Sequence, residues 1–430
     1  MSAPARPEMH TRWNFVVIVL DASSFAMGIA LVDPVAVLPV LLANLGASNA
    51  VIGLVGTIQR AGWLMPQLLS ASIVLHRPRR WGFVFYPCLV SRIPFYLLAV
   101  ALLHPWSRTH QSVLLPLIIV TYALFYFGDG LCGVPWHDII ARSIPTTMRG
   151  RFFGSMQAFS GLLGVGSAAV VDRILGNRSL PFPQNYGLLF AGLCVGLTLS
   201  TLFLYLIREP VPAPVSEAQT LPSLIRSIPQ VLRDHPRLLR SIIGQNLCGL
   251  TGLAGSFYAV YATKQLHVPE SLAGLFVSAG VLGAVGSSFI WAYLSDRKGP
   301  TRVIRGVAWM MGVTPAMALL VPWAARHAGL ETGLPYLYAA VFLCNSTVAG
   351  GAWMGFTNYV FEIAPERLRP IFLGLQATLS APSVFMPWLG GTLLKVMSYQ
   401  TLFAIVAVAG VLGALYVRLL AEPRHAPTAA

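Results

Sequence analysis

Charge is scarce in this 430-residue chain: Asp, Glu, Lys and Arg make up 10% of it, where soluble globular domains carry about 25%. With 56% hydrophobic residues, most of its solvent must be lipid, which excludes an ordinary soluble domain. Cysteine is also rare. Cys88, Cys132, Cys194, Cys248 and Cys344 all lie in apolar runs without CxxC spacing, so no disulfide framework or structural zinc site is expected and they read as packing residues. The nine histidines fall in tails, loops or helix ends, which argues against a membrane path for a metal ion lined by imidazoles. Catalytic signatures are missing as well. There is no HExxH and no GxSxG, and "YFGD" at 126–129 lacks the first glycine of a GxGD aspartyl protease site. No GxxxxGK[ST] phosphate loop is present either. No enzyme activity, catalytic residue, cofactor or metal is therefore expected, and any energy for work should come from a gradient.

What the chain does have is long apolar runs. A bilayer core about 30 Å thick needs roughly 20 apolar residues per spanning helix. Runs of that kind fall near 14–42, 50–75, 81–104, 112–136, 150–171, 186–207, 240–263, 271–294, 303–325, 334–357, 370–394 and 399–420, which predicts an all-α integral membrane protein with twelve transmembrane helices. Pro34 and Pro39 should bend the outer part of the first. The net charge of +14 is scattered over alternate loops instead of forming one patch with interleaved aromatics, so no nucleic-acid partner is expected. With the N-terminus inside, 21 of the 29 Lys and Arg lie in internal tails and loops and 6 in external loops. Arg60 and Arg92 lie within helices. That split follows the positive-inside rule and predicts a multi-pass protein of the cell membrane with both termini cytoplasmic. The opening "MSAPARPEMHTR" reads as a short tail before a retained helix.

The stretch "PTTMRGRFFG" (145–154) returns as "PERLRPIFLG" (365–374), aligning Pro145 with Pro365, Arg149 with Arg369, Phe152 with Phe372 and Gly154 with Gly374. At the same offset near 220, "HRPRR" (76–80) falls on "DRKGP" (296–300), and "SNAVIGLVGT" falls on "PESLAGLFVS" after a one-residue slip. A repeat that aligns several loops divides the chain into two six-helix halves, residues 1–207 and 240–430, joined by a linker at 208–239.

On those residues the chain resembles the major facilitator superfamily. "AYLSDRKGPTRV" (292–303) is similar to its G-x-x-x-D-R-x-G-R-[RK] loop signature, with Ala292 in place of the first glycine, and "DIIARSIPTTMRGRFFG" looks like its loop between helices four and five. The resemblance covers nearly the whole chain. It implies two pseudo-symmetric six-helix bundles with the solute site near the midplane. It also implies that Asp296, with Arg297 and Gly299, approaches the helix start at Arg149, the partner hinge being at Arg369. A helix start carries about half a positive charge and so attracts a carboxylate. In the first half His76 stands at the aspartate position and the glycine is missing. An imidazole there could gain charge as pH falls. The fourth helix lacks the arginine, and the fifth the Gly-Pro pair, of the superfamily's drug:proton antiporters.

Charges inside the membrane are the candidate functional residues, since an aspartate at a helix centre costs about 2.5–3.5 kcal/mol. Asp21 lies nine residues inside Arg12, about 13 Å, and Asp129 eight residues before His137, about 12 Å, so their depths agree. In the arrangement the resemblance supplies, helices one and four line the central cavity. The two carboxylates are then expected to share an aqueous space and exchange protons near neutral pH. The alternative for Asp129 is a loosened "FGDGLCG" segment in which it bonds freed backbone N–H groups. Asp33 and Arg60 lie 13 and 14 residues either side of the turn near Gly46, level on antiparallel neighbours, and are expected to form an intramembrane ion pair. Arg92 has no evident partner, and either snorkels or holds an anionic group of the solute.

At comparable depth the second half offers only neutral groups: Gln245 and Asn246 on helix seven, and Asn345, Ser346 and Trp353 on helix ten. These suit a neutral or weakly polar solute, or else interhelical hydrogen bonding. In the linker, Leu221, Leu224, Ile225, Ile228 and Leu232 keep helical spacing, which predicts a segment lying in the membrane interface. The expected function is a monomeric secondary active transporter that moves a small organic solute by alternating access, with protons as the coupling ion. The alternatives are a non-transporting sensor or assembly factor on the same scaffold, or a membrane-embedded enzyme.

Overall fold

The computed structural model describes residues 7–74, 77–145, 148–209, 229–365 and 369–425. Each apolar run of the sequence is helical over most of its length. The first half comprises α1 (Pro7–Leu31), the short α2 (Leu38–Asn44), α3 (Asn49–Val74), α4 (Trp81–Leu103), α5 (Gln111–Ser143), α6 (Arg149–Gly176) and α7 (Gln184–Tyr205). The second comprises α8 (Pro236–Gly249), α9 (Gly252–Gly255), α10 (Tyr258–Lys264), α11 (Ala273–Lys298), α12 (Pro300–His327), α13 (Leu334–Ile363), α14 (Arg369–Leu379), α15 (Met386–Leu393) and α16 (Tyr399–Tyr416). Among the described residues nine helices are long and apolar enough to cross a membrane. The other three runs depart from that pattern for visible reasons. In α3 the polar Gln59, Arg60 and Gln67 dilute a 26-residue helix. The seventh run is broken into α8, α9 and α10, and the eleventh into α14, a 3₁₀ turn at Ala381–Phe385, and α15.

The first break keeps its backbone satisfied by tightening. Leu250, Thr251, Leu253 and Ala254 each donate to the carbonyl three residues back, at 3.0–3.3 Å. Such i→i+3 turns let a helix change course without leaving polar groups unpaired in lipid.

The hinge repeat is structural. α5 ends at Ser143 and α13 at Ile363, α6 begins at Arg149 and α14 at Arg369, and both pairs are 220 residues apart. Within the first unit α1 packs on α6 and α7, and α4 on α5 and α7; within the second, α12 packs on α13 and α16. The α4–α5 and α4–α7 contacts of one half thus correspond to α12–α13 and α12–α16 of the other. At the α1–α7 crossing a Cβ added to Gly196 would lie 2.7 Å from Gly28 Cα, so these helices meet backbone to backbone, as small residues allow in membranes. On outer faces Val100 and Leu162 are 66% and 70% exposed, a surface suited to hydrocarbon.

By compactness the chain divides into residues 1–45 with 58–218 and residues 46–57 with 219–430. The first two turns of α3 thus group with the second unit. There Tyr399 Oη donates to Asn49 Oδ1 at 2.8 Å and the Trp388 N–H to Thr57 Oγ1 at 3.2 Å. The linker residues Leu221, Leu224, Ile225 and Ile228 lie outside the described residues.

Candidate functional site

Four helices of the first unit bring its buried charges together. Asp21 on α1 is 5% exposed. Its Oδ1 accepts from Ser200 Oγ on α7 at 2.6 Å, and its Oδ2 from Trp136 Nε1 on α5 at 3.2 Å. Arg92 on α4 is 3% exposed. Its Nη1 donates to the Leu197 carbonyl at 3.0 Å and to Thr201 Oγ1, and its Nη2 to Ser200 Oγ at 3.1 Å. The guanidinium lies 5.9 Å from the centre of the Phe25 ring. Asp129 on α5 is also buried, and Arg92 is near enough to act electrostatically on both carboxylates. Ser200 joins Arg92 to Asp21, and Asp129 lies on α5, the helix that supplies Trp136 to Asp21.

This arrangement revises two expectations. Asp21 does not open onto an aqueous space shared with Asp129; it is turned into the bundle, where a hydroxyl and an indole supply the hydrogen bonds a buried carboxylate requires. Arg92 neither snorkels nor keeps its donors free for a solute, because both terminal nitrogens are committed to α7. Its Nε is buried without a hydrogen-bond partner among the described residues.

Asp33 and Arg60 do not pair. Asp33 Oδ1 accepts the backbone N–H groups of Val35 and Ala36 at 2.8 and 2.7 Å. An aspartate ahead of a proline caps the turn that the proline starts, and that local bond wins over a distant cation. This turn, not a bend, separates α1 from α2. Arg60 is exposed and has no ion pair among the described residues.

In the second unit Gln245 Oε1 accepts from Gln376 Nε2 at 2.9 Å, and Asn246 Nδ2 donates to the Ile242 and Leu379 carbonyls, each at 3.0 Å. Both amides therefore tie α8 to α14. Asn345 and Ser346 are half-buried on α13, and Trp353 is 72% exposed.

Among the loop residues, Arg149 closes the end of α5, donating Nε to the Ile144 carbonyl at 3.3 Å and Nη2 to that of Ala141 at 3.0 Å. Arg369 opens α14. The Asp296 side chain is exposed, and its carbonyl accepts from Arg424 Nη1 at 2.8 Å. Arg297 lies 5.1 Å over the Tyr293 ring, and Gly299 holds φ at +83°. His76 lies outside the described residues.

An ionic network surrounds the start of α4, formed by residues outside the sequence-predicted site. Arg80 Nη1 meets Asp138 Oδ1 at 2.6 Å, and Arg142 bridges Asp138 at 2.7 Å and Glu209 at 3.3 Å. Glu209 also accepts the N–H groups of Arg80 and Trp81, at 2.5 and 3.2 Å, capping α4. In the second unit the Glu422 carboxylate lies beside Gly299, the residue before α12, where a Cβ would meet its Oε1 at 2.1 Å. Glu362 and Arg424 pair nearby at 2.6 Å. The signal was present in the sequence as two Glu-Pro pairs, Glu209-Pro210 and Glu422-Pro423, each following the last helix of its half.

The sequence profile of the Major Facilitator Superfamily matches residues 18–379 and 243–430. The chain belongs to that superfamily. Its fold, an all-α membrane protein of two related helical bundles, is shared by solved transporters. A bacterial homologue of the iron transporter ferroportin, in an inward-facing state, is 15% identical with a TM-score of 0.69, over 94% of this chain and 97% of that one. A D-xylose–proton symporter is 14% identical at 0.67, over 95% and 98%. The nucleoside transporter NupG is 15% identical at 0.66, over 95% and 100%. At such identities the likeness establishes the fold. No curated protein matches the chain in sequence.

Proposed function

We propose that this protein is a secondary active transporter that moves a small organic solute by alternating access, couples that movement to protons in its first unit, and resides in the cell membrane with both termini cytoplasmic. The observation that carries the coupling is the burial of Asp21, Asp129 and Arg92 in one helix bundle, with Ser200 bonded to both Asp21 and Arg92. Two carboxylates against one cation leave one uncompensated negative charge in a low-dielectric interior, which is costly. One proton brings the cluster to neutrality. Ser200, bonded to Asp21 and Arg92 at once, links proton occupancy on α1 to the positions of α4 and α7. That one of the similar structures is a proton symporter supports this reading.

For the solute, Asn345, Ser346 and the exposed Trp353 of α13 are the second-unit groups with surface to offer, and amides with an indole suit a neutral or weakly polar molecule. Gln245 and Asn246 hold α8 against α14 and act on the site through that packing. The 21-to-6 division of basic residues supports the orientation.

The test begins with a thermal-shift screen of purified protein against sugars, organic acids, amino acids and nucleosides, since a bound ligand stabilises the folded form. Flux of the stabilising solute is then measured in sealed vesicles under an imposed pH gradient. Asp21→Asn and Asp129→Asn should retain exchange at equal pH while losing gradient-driven accumulation. Full accumulation in both variants removes the proton scheme, and absence of flux for every stabilising solute removes transport.

A further inference from the structure

Of the five cysteines, two stand together. Cys88 on α4 and Cys132 on α5 are each 4% exposed, and their Sγ atoms are 2.8 Å apart. A covalent S–S bond is about 2.05 Å long, so the sulfurs are within about 1 Å of bonding distance. The backbone already holds Cys132 in place, with its Sγ 3.2 Å from the Val84 carbonyl and 3.3 Å from that of Gly128. Gly128 also lets α5 lie close against α4, since a Cβ there would fall 2.4 Å from Ser91 Cβ. Cys344 instead accepts a hydrogen bond from Thr314 Oγ1 at 3.0 Å. Among the described residues no hydrogen-bonding contact joins Cys194, Cys248 or Cys344 to another thiol, so only one pair is poised.

We propose that Cys88 and Cys132 are a reversible disulfide site, oxidised by a lipid-soluble two-electron acceptor of the quinone class. The two S–H bonds break and one S–S bond forms. The two electrons and two protons released reduce the quinone to its hydroquinone. Because the pair lies inside two membrane-long helices, Trp81–Leu103 and Gln111–Ser143, the oxidant named is one that partitions into lipid. Cys88 is one turn from Arg92 on α4, and Cys132 is three residues from Asp129 on α5. The bond therefore pins the helix that supplies the cation to the one that supplies a carboxylate. This inference stands on the thiol geometry and does not depend on transport.

The experiment uses the full chain in lipid vesicles and, in parallel, in detergent micelles. Duroquinone is the oxidant, because its fully methylated ring resists addition of thiols. After oxidation the protein is denatured, its thiols are blocked with a maleimide, and adducts are counted by mass. The wild type should fall from five adducts to three, recover five after dithiothreitol, and yield a linked peptide containing residues 88 and 132. Cys88→Ser should carry four adducts before and after oxidation. Five adducts persisting in both preparations, or a Cys88→Ser chain that loses two thiols as the wild type does, overturns the proposal.

Discussion

Asp21 and Arg92 do not touch; they share the hydroxyl of Ser200, which donates to Asp21 Oδ1 at 2.6 Å and accepts from Arg92 Nη2 at 3.1 Å. A hydroxyl between two charges satisfies both and leaves the carboxylate free of a direct ion pair. It also makes each charge sensitive to loss of the other.

Arg92→Ala should be severely destabilising. It leaves Asp21 and Asp129 buried without a cation, and breaking a buried charge cluster from one side costs about 3–5 kcal/mol. The thermal midpoint in detergent should fall sharply, and Asp21→Asn in the same chain should recover part of the loss. A further fall in the double variant contradicts the shared-cation arrangement.

Asp33→Asn and Arg60→Gln should act independently. Since Asp33 is bonded to the N–H groups of Val35 and Ala36, a double-mutant cycle on unfolding should give a coupling within about 0.5 kcal/mol. A larger favourable coupling would restore the ion pair.

Gly130→Ala should cost about 1–3 kcal/mol as overpacking, because its Cβ would sit 2.3 Å from the Gly62 carbonyl oxygen at the crossing of α3 and α5. Gly166→Ala is the control. Nothing lies within 4 Å of its Cβ, so the change should be neutral or stabilising by up to about 1 kcal/mol through helix propensity. Equal effects at the two sites argue against the close crossing.

Glu209→Ala removes the cap of α4 and one partner of Arg142. A helix cap contributes about 0.5–2 kcal/mol. Hydrogen exchange should quicken in the first turn of α4 while the middle of that helix keeps its protection. Uniform loss of protection along α4 points to general unfolding.

Much of the fold was legible because lipid makes apolar length informative, and because the duplicated hinge fixed the register of the halves at Arg149 and Arg369. The breaks near Thr251 and Ser383 were hidden, since an interrupted apolar run reads like an intact one when its turns are built from small residues. At the site, the expense of a buried charge marked Asp21, Asp129 and Arg92. Their partners were silent: Ser200 and Thr201 are ordinary within an apolar helix, and only three-dimensional packing brings them beside α4. Asp33 and Arg60 match in depth on neighbouring helices, yet the local bond an aspartate makes ahead of a proline outcompetes that distant pairing. Arg80, the Asp138–Arg142 pair and Glu209 lie far apart in sequence at helix ends, where charge is ordinary, and only the packing of α4, α5 and the segment after α7 brings them together.

The interruptions in the second unit lie against each other. A Cβ on Gly249, at the end of α8, would fall 2.6 Å from Ser383 Cβ in the turn between α14 and α15, and one on Gly390 of α15 would fall 2.0 Å from the Leu253 carbonyl oxygen of α9. A sharp kink needs such an identifiable fault in the hydrogen-bond ladder, and here two faults form one joint. The segments α10 and α15 thus follow a common knuckle that an unbroken rod lacks. Interruptions are distributed unevenly along the polypeptide: α4, α5, α6 and α7 of the first unit run unbroken, whereas in the second two interrupted runs meet at one joint.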